Sequence, residues 1–138
     1  IVGVMDWEEN TRPDYREKYF REPMLEKSGD GWTQEWICYG NKFVAAKRLT
    51  VEPGKEVNIQ DQAAYGCLVI QGHGKFGVFA CESPTLIRYG QLTRDEFYVS
   101  NKKAKEGVLI KNESPVEPLV ILKHFGPDVG IPEKPAKK

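Results

Sequence analysis

The sequence predicts an antiparallel all-β domain, curled into a small barrel or jelly roll behind a short N-terminal arm. Short apolar runs recur at fairly even spacing with little helix between them, which favours antiparallel strands. Glycine and proline mark corners between those runs. The stretch Val51 to Phe79 shows both features at their densest. It reads as strand, Pro53-Gly54 corner, strand Tyr65–Gln71, reversal at Gly72-His73-Gly74, and returning strand Lys75–Phe79. The Val- and Ile-rich run at its centre suits a strand buried on both faces.

Composition bounds the problem before any site is chosen. At 138 residues the chain is one domain, large enough for a proper core. Lys and Arg number 20 and Asp and Glu 20, so the formal net charge is +0. That balance argues against nucleic acid or an acidic membrane as the main partner. No apolar stretch approaches the length of a membrane span. Three cysteines without a CxxC fit reduced thiols and a cytoplasmic setting. Starting at Ile1, the chain reads as trimmed or cut from a longer protein.

Each element follows in order. Residues 1–40 are expected to form the arm and the first strand. Ile1 to Asp6 reads as an edge strand. Thr11 is the expected N-cap of a brief helix over Asp14 to Arg21, which Pro23 stops. Lys27 to Gly31 reads as a loop, Trp32 to Tyr39 as a strand, and Gly40-Asn41 as a hairpin turn. The barrel itself is expected over 41–126. Lys42 to Val51 is its first strand. If Leu49 and Val51 point inward, Phe43, Ala45 and Lys47 do too, since side chains repeat every two residues. Lys47 is then either a pocket lysine or a sign of a register error. After Phe79, Ala80 to Pro84 reads as a turn, Thr85 to Arg88 as a short strand and Glu96 to Ser100 as another. Lys102 to Glu106 is a helical turn or wet loop closed by Gly107. Val108 to Lys111 and Leu119 to Phe125 are the last strands. Residues 127–138, rich in Pro, Gly and Lys, are expected to be a flexible tail.

Over roughly Phe43 to Phe125 the chain resembles the cupin superfamily, whose two motifs are commonly written G(X)5HXH(X)3,4E(X)6G and G(X)5PXG(X)2H(X)3N. Glu52-Pro53-Gly54 matches the usual opening of the first. Leu68 to Gly72 matches its closing strand and turn. Leu92 to Ser100 resembles the start of the second, with Arg94 and Ser100 replacing its glycine and proline, and Asn112 stands at its closing asparagine. The resemblance implies a double-stranded β-helix barrel of the RmlC-like kind, often dimeric, and a distant likeness to cupin sugar-phosphate isomerases. The metal ligands do not match. Counting from Gly54 puts Gln60 and Gln62 at the histidine positions. Counting back from Gly72 puts Tyr65 at the glutamate, with Asn58 and Gln60, or Ile59 and Asp61, at the histidines. Neutral amides are poor partners for a dication, so neither a metal site nor a cofactor is expected.

The candidate ligand-binding residues are therefore Lys47, Asn58, Gln60, Gln62, Cys67 and His124, with Asp61 and Tyr65 as a candidate acid–base pair. Amides, a phenol and one cation suit the hydroxyls of a sugar, and Lys47 suits a phosphate or carboxylate. Set against this, amides often serve loops, Tyr65 can simply pack, and Cys67 can be an inert core thiol. His124 is the histidine able to reach the barrel; His73 reads as an exposed turn residue. Two main functions follow. One is a barrel binding a sugar or sugar phosphate, isomerase-like, as a homodimer. The other is a non-catalytic accessory or oligomerisation barrel of a larger protein. An oxygenase with atypical metal ligands is a third.

Overall fold

In a computed structural model that describes residues 3, 5–86 and 89–133, the arm opens on two short helices. These are α1 (Trp7–Asn10) and α2 (Tyr15–Tyr19). The edge strand expected at the start is not formed at residues 5–6, and residues 1, 2 and 4 lie outside the described residues. Asp6 caps α1 by accepting from the Glu9 N–H, and Thr11 closes it by donating its hydroxyl to the Trp7 carbonyl. Asp14, rather than Thr11, stands at the start of α2. Neither helix buries a residue.

The strands follow as β1 (Met24–Gly29), β2 (Trp32–Cys38), β3 (Ala45–Val51), β4 (Glu56–Ile59), β5 (Tyr65–Phe76), β6 (Phe79–Ser83), β7 (Glu96–Val99), β8 (Val108–Asn112) and β9 (Leu119–Phe125), with helix α3 (Asn101–Glu106) between β7 and β8. All pairings are antiparallel. One sheet runs β1-β2-β3-β9-β5-β7 and the second β4-β8-β5-β6, so β5 belongs to both. The inner faces bury Leu49, Val51, Val69, Ile110, Leu119 and Ile121 almost completely. Each such side chain contributes about 1.5–3 kcal/mol over leaving it in water.

The shared strand corrects the expected reversal at Gly72-His73-Gly74. β5 continues through it, and its register slips between Val69 and Gln71. That bulge inverts the parity: Tyr65, Cys67 and Val69 face inward before it, and Gly72, Gly74 and Phe76 after it. A strand with one solvated face explains why Ile70 is exposed in a run that reads as doubly buried. Gly72 takes φ +83°, and a side chain there would meet the Pro118 carbonyl. The reversal sits instead at Gly77-Val78, between the paired Phe76 and Phe79.

Four further expectations change. Lys27 to Gly29 lies in strand β1 rather than a loop, with the turn confined to Asp30-Gly31. Most of the expected turn at Ala80–Pro84 is β6, because β5 extends far enough to pair with it. Thr85 and Leu86 form no strand, and residues 87–88 lie outside the described residues. In the expected tail, Val129 is buried and the Pro132 carbonyl accepts from the Gly40 N–H, so the chain packs at least to Ile131 and Pro132. Residues 134–138 lie outside the described residues. Asn112 donates to the Val51 and Glu117 carbonyls and accepts from the Ser114 N–H, which pins the β8–β9 loop to β3.

Candidate functional site

Strand parity brings two lysines face to face inside the barrel. Lys47 shares the inward face of β3 with Leu49 and Val51, and Lys123 shares that of β9 with Ile121 and Phe125. The register makes Lys47 and Lys123 direct cross-strand partners, with Trp36 and Cys67 next along the same row. Like charges opposite one another destabilise a sheet unless something lies between them.

Asp61 lies between them. Its Oδ1 accepts from Lys47 Nζ at 2.8 Å and its Oδ2 from Lys123 Nζ at 2.8 Å. Beyond β4, its backbone N–H donates to the Ala104 carbonyl, anchoring it to α3. Glu26 and Gln34 complete a closed ring. Lys47 Nζ donates to Glu26 Oε1 at 2.8 Å, Gln34 Nε2 to Glu26 Oε2 at 2.8 Å, and Lys123 Nζ to Gln34 Oε1 at 2.8 Å. Gln34 Nε2 also reaches Asp61 Oδ1 at 3.2 Å. The ring is formally neutral, two ammonium groups against two carboxylates. Gln34, Lys47, Asp61 and Lys123 are at most 1% exposed, whereas the Glu26 side chain is 19% exposed.

Each ammonium group makes two of these bonds and has three N–H donors. Lys47 Nζ also lies 4.3 Å from the Trp36 ring centre and 4.9 Å from that of Phe125. Lys123 Nζ lies 5.0 Å from the Tyr65 ring centre. Aromatic faces thus flank both cations. Burial alone would push the Asp61 carboxyl up, but Lys123 and Lys47 outweigh it and hold it below its ordinary value. Burial draws Lys123 below the usual lysine range against the pull of Asp61. The Tyr65 hydroxyl, pushed up by burial and then by Asp61, stays protonated. That hydroxyl is buried and has no hydrogen-bond partner among the described residues. Burial also takes the Cys67 thiol up to about 12, so it is not a thiolate.

Of the residues the sequence nominates, Lys47, Asp61, Tyr65 and Cys67 meet inside the barrel. Asn58, Gln60, Gln62 and His124 do not, which corrects their expected place among the ligand-binding residues of the barrel. The cause is parity. Val57 and Ile59 face inward on β4, and the alternation carries on through Asp61, Ala63 and Tyr65, so the three amides point outward. Gln60 instead accepts from Lys27 through its carbonyl and reaches the Glu106 carbonyl with its amide. His124 lies on the outer face of β9 beside Gly66. Glu26, Gln34 and Lys123 join the ring without being among the sequence candidates. Lys123 was findable, two residues from Ile121 and from Phe125 in an apolar run. Gln34 was findable between Trp32 and Trp36. Glu26 was not, because it falls at the register slip of β1 between Leu25 and Lys27, which no alternation marks.

The tri-histidine–glutamate metal site that the resemblance brings to mind does not fit these residues. Ammonium groups are donors only and cannot coordinate a dication. Among the described residues no three His, Cys, Asp or Glu side chains gather as a metal site would require. No protein-family profile matches the chain, and no curated protein does. Solved structures do. A cupin-2 domain from Rhodospirillum rubrum is 15% identical, with a TM-score of 0.51, covering 84% of this chain and 76% of that one. A cupin-2 domain-containing protein from Halorhodospira halophila is 16% identical, with a TM-score of 0.51 and coverage of 80% and 74%. An RmlC-like cupin from Shewanella frigidimarina is 14% identical, with a TM-score of 0.50 and coverage of 80% and 91%. Two antiparallel sheets share one long strand around a common interior, and the likeness to these solved structures gives this chain the cupin fold.

Proposed function

We propose that the chain is a binding cupin that takes a small polar ligand into the barrel beside the ring, through side chains alone. The observation that carries this is the Tyr65 hydroxyl, fully buried without a partner among the described residues, an arrangement that costs about 1–3 kcal/mol unless something completes it. The chemistry of the ligand follows from what the interior has to spare. Both Asp61 oxygens and the whole Gln34 amide are engaged. What remains is the Tyr65 O–H and the third N–H of each lysine, which are donors. They suit the oxygens of a carboxylate, phosphate or carbonyl better than the mixed hydroxyls of a neutral sugar. Within the sugar and sugar-phosphate reading, this favours the phosphorylated or acidic members. Asp61 serves here to position the lysines. Isomerisation through an Asp61–Tyr65 pair would need a carboxylate freed from three donors, so we propose binding rather than turnover.

A thermal-shift screen with hexoses, hexose phosphates and small organic acids tests the reading. It expects a saturable shift with an anionic member that weakens at least about tenfold in Tyr65→Phe. No shift from any member, or equal binding by Tyr65→Phe, would refute it.

A second reading, an oligomerisation barrel, is favoured by a separate observation. An apolar groove of ≈ 570 Å³ lies where Phe76 stacks on Phe97, and Val78, Phe79 and Tyr98 stand exposed along it. Analytical ultracentrifugation of the chain and of Phe79→Lys tests it. A dimer that Phe79→Lys splits supports this reading, and a monomer in both sets it aside.

A further inference from the structure

The ring has one member unlike the rest. Gln34, Lys47, Asp61 and Lys123 sit on β2, β3, the β4–β5 connection and β9, paired or anchored within the barrel. Glu26 comes from β1, which pairs with β2 alone and is the edge of its sheet. It stands at the register slip between Leu25 and Lys27, where a bulge turns a side chain out of the regular alternation. It is the ring side chain that reaches solvent, at 19% exposed. Its carboxylate is held at two points, one oxygen by Lys47 Nζ and the other by Gln34 Nε2, both at 2.8 Å. Without Glu26, the remaining ring carries Lys47, Lys123 and Asp61, a formal charge of one positive unit. The seat it leaves would present an ammonium and an amide N–H, about one carboxylate wide.

From this geometry we infer that Glu26 is an internal stand-in for a ligand carboxylate, and that β1 is the strap that seats it. The occupied seat is a site for a small monocarboxylate, open when β1 lifts Glu26 off Lys47 and Gln34. Displacement is charge-neutral for the interior, because one carboxylate replaces another, so it avoids the penalty of adding a net buried charge. Asp61 cannot exchange in this way, being fully buried and held by both lysines. The inference rests on the binding reading above and adds how the site is closed in the absence of ligand. It also explains why Tyr65, Lys47 and Lys123 are shut from solvent in a barrel proposed to bind.

The experiment is chemical rescue. Glu26→Ala removes the stand-in and leaves the seat. Sodium acetate should then raise its melting temperature with the logarithm of its concentration, by roughly 4 °C at ten times its dissociation constant. Acetamide and sodium chloride at equal concentration should not, and the wild type should respond at least about tenfold more weakly to acetate. Adding Lys47→Met to Glu26→Ala should abolish the rescue. Rescue by acetamide as well as acetate, or none at all, overturns the seat. If Glu26→Ala does not fold, wild-type hydrogen exchange decides. High acetate should speed exchange of the β1 amides while those of β3 and β9 stay protected, and unchanged β1 exchange overturns the inference. The two claims separate cleanly: acetate rescue with normal ligand behaviour in Tyr65→Phe keeps the seat and removes the Tyr65 reading, and the converse removes the seat alone.

Discussion

Two charged clusters of similar size lie in this molecule, and they obey different physics. On the arm, Glu9 meets Arg12, Lys18 and Tyr19, and Arg12 meets Asp14. In the barrel, Glu26, Gln34, Lys47, Asp61 and Lys123 close a ring. Glu9 is held down to about 2 by its hydrogen bonds to Lys18 and Tyr19, and Asp61 is also held low. The shared direction hides opposite consequences. The arm pairs are open to water and salt, which screen them and leave little net stability. The four inner members of the ring, Gln34, Lys47, Asp61 and Lys123, have no water to fall back on, so each of them left unpaired costs its full desolvation. The lesson is that burial, not the number of ion pairs, decides which charges the fold depends on.

Mutations break the comparison in a set order. Asp61→Asn leaves two opposed lysines without a shared counter-ion and should cost about 3–5 kcal/mol in urea unfolding. Lys123→Met should cost less, about 2–3 kcal/mol, because Asp61 still keeps Lys47 and Gln34. Acid sharpens the contrast. The folded Asp61 value lies below that of the unfolded chain, so its stabilisation is present above the ordinary carboxylate range. It should be lost as pH falls through that lower folded value. An acid-unfolding series should show this limb intact in Glu9→Gln and altered in Lys123→Met. The smallest effect belongs to the arm. Glu9→Gln should leave the urea midpoint within error, and raising salt to 1 M should not weaken the ring. A large loss in Glu9→Gln, or a tolerated Asp61→Asn, would invert the comparison.

The two regions were also unequally legible. Alternation alone places Lys47 and Asp61 inside, because it runs unbroken through Lys47, Leu49 and Val51 and through Ile59, Asp61 and Tyr65. The strands β7 and β9 follow from their apolar runs, and the Glu52-Pro53-Gly54 opening carries the fold resemblance. Legibility fails where alternation is interrupted. The slip at Ile70 hides that β5 runs on past Gly72, and the slip at Glu26 hides a ring member just before the stretch Lys27 to Gly31 that reads as a loop. The amides Asn58, Gln60 and Gln62 mislead because polarity alone does not say which face a side chain takes. Lys123 is hard to single out beside His124, whose imidazole suggests chemistry although parity turns it outward.

The account rests on two ammonium groups standing at the centre of the barrel, clasped between carboxylates. Proton-detected nitrogen-15 spectroscopy of the lysine side chains at neutral pH observes this directly. The account predicts two Nζ signals with slowly exchanging protons, both lost or shifted in Asp61→Asn and neither moved by added zinc. Lysine signals that all exchange as fast as free side chains, or that collapse when zinc is added, would contradict it.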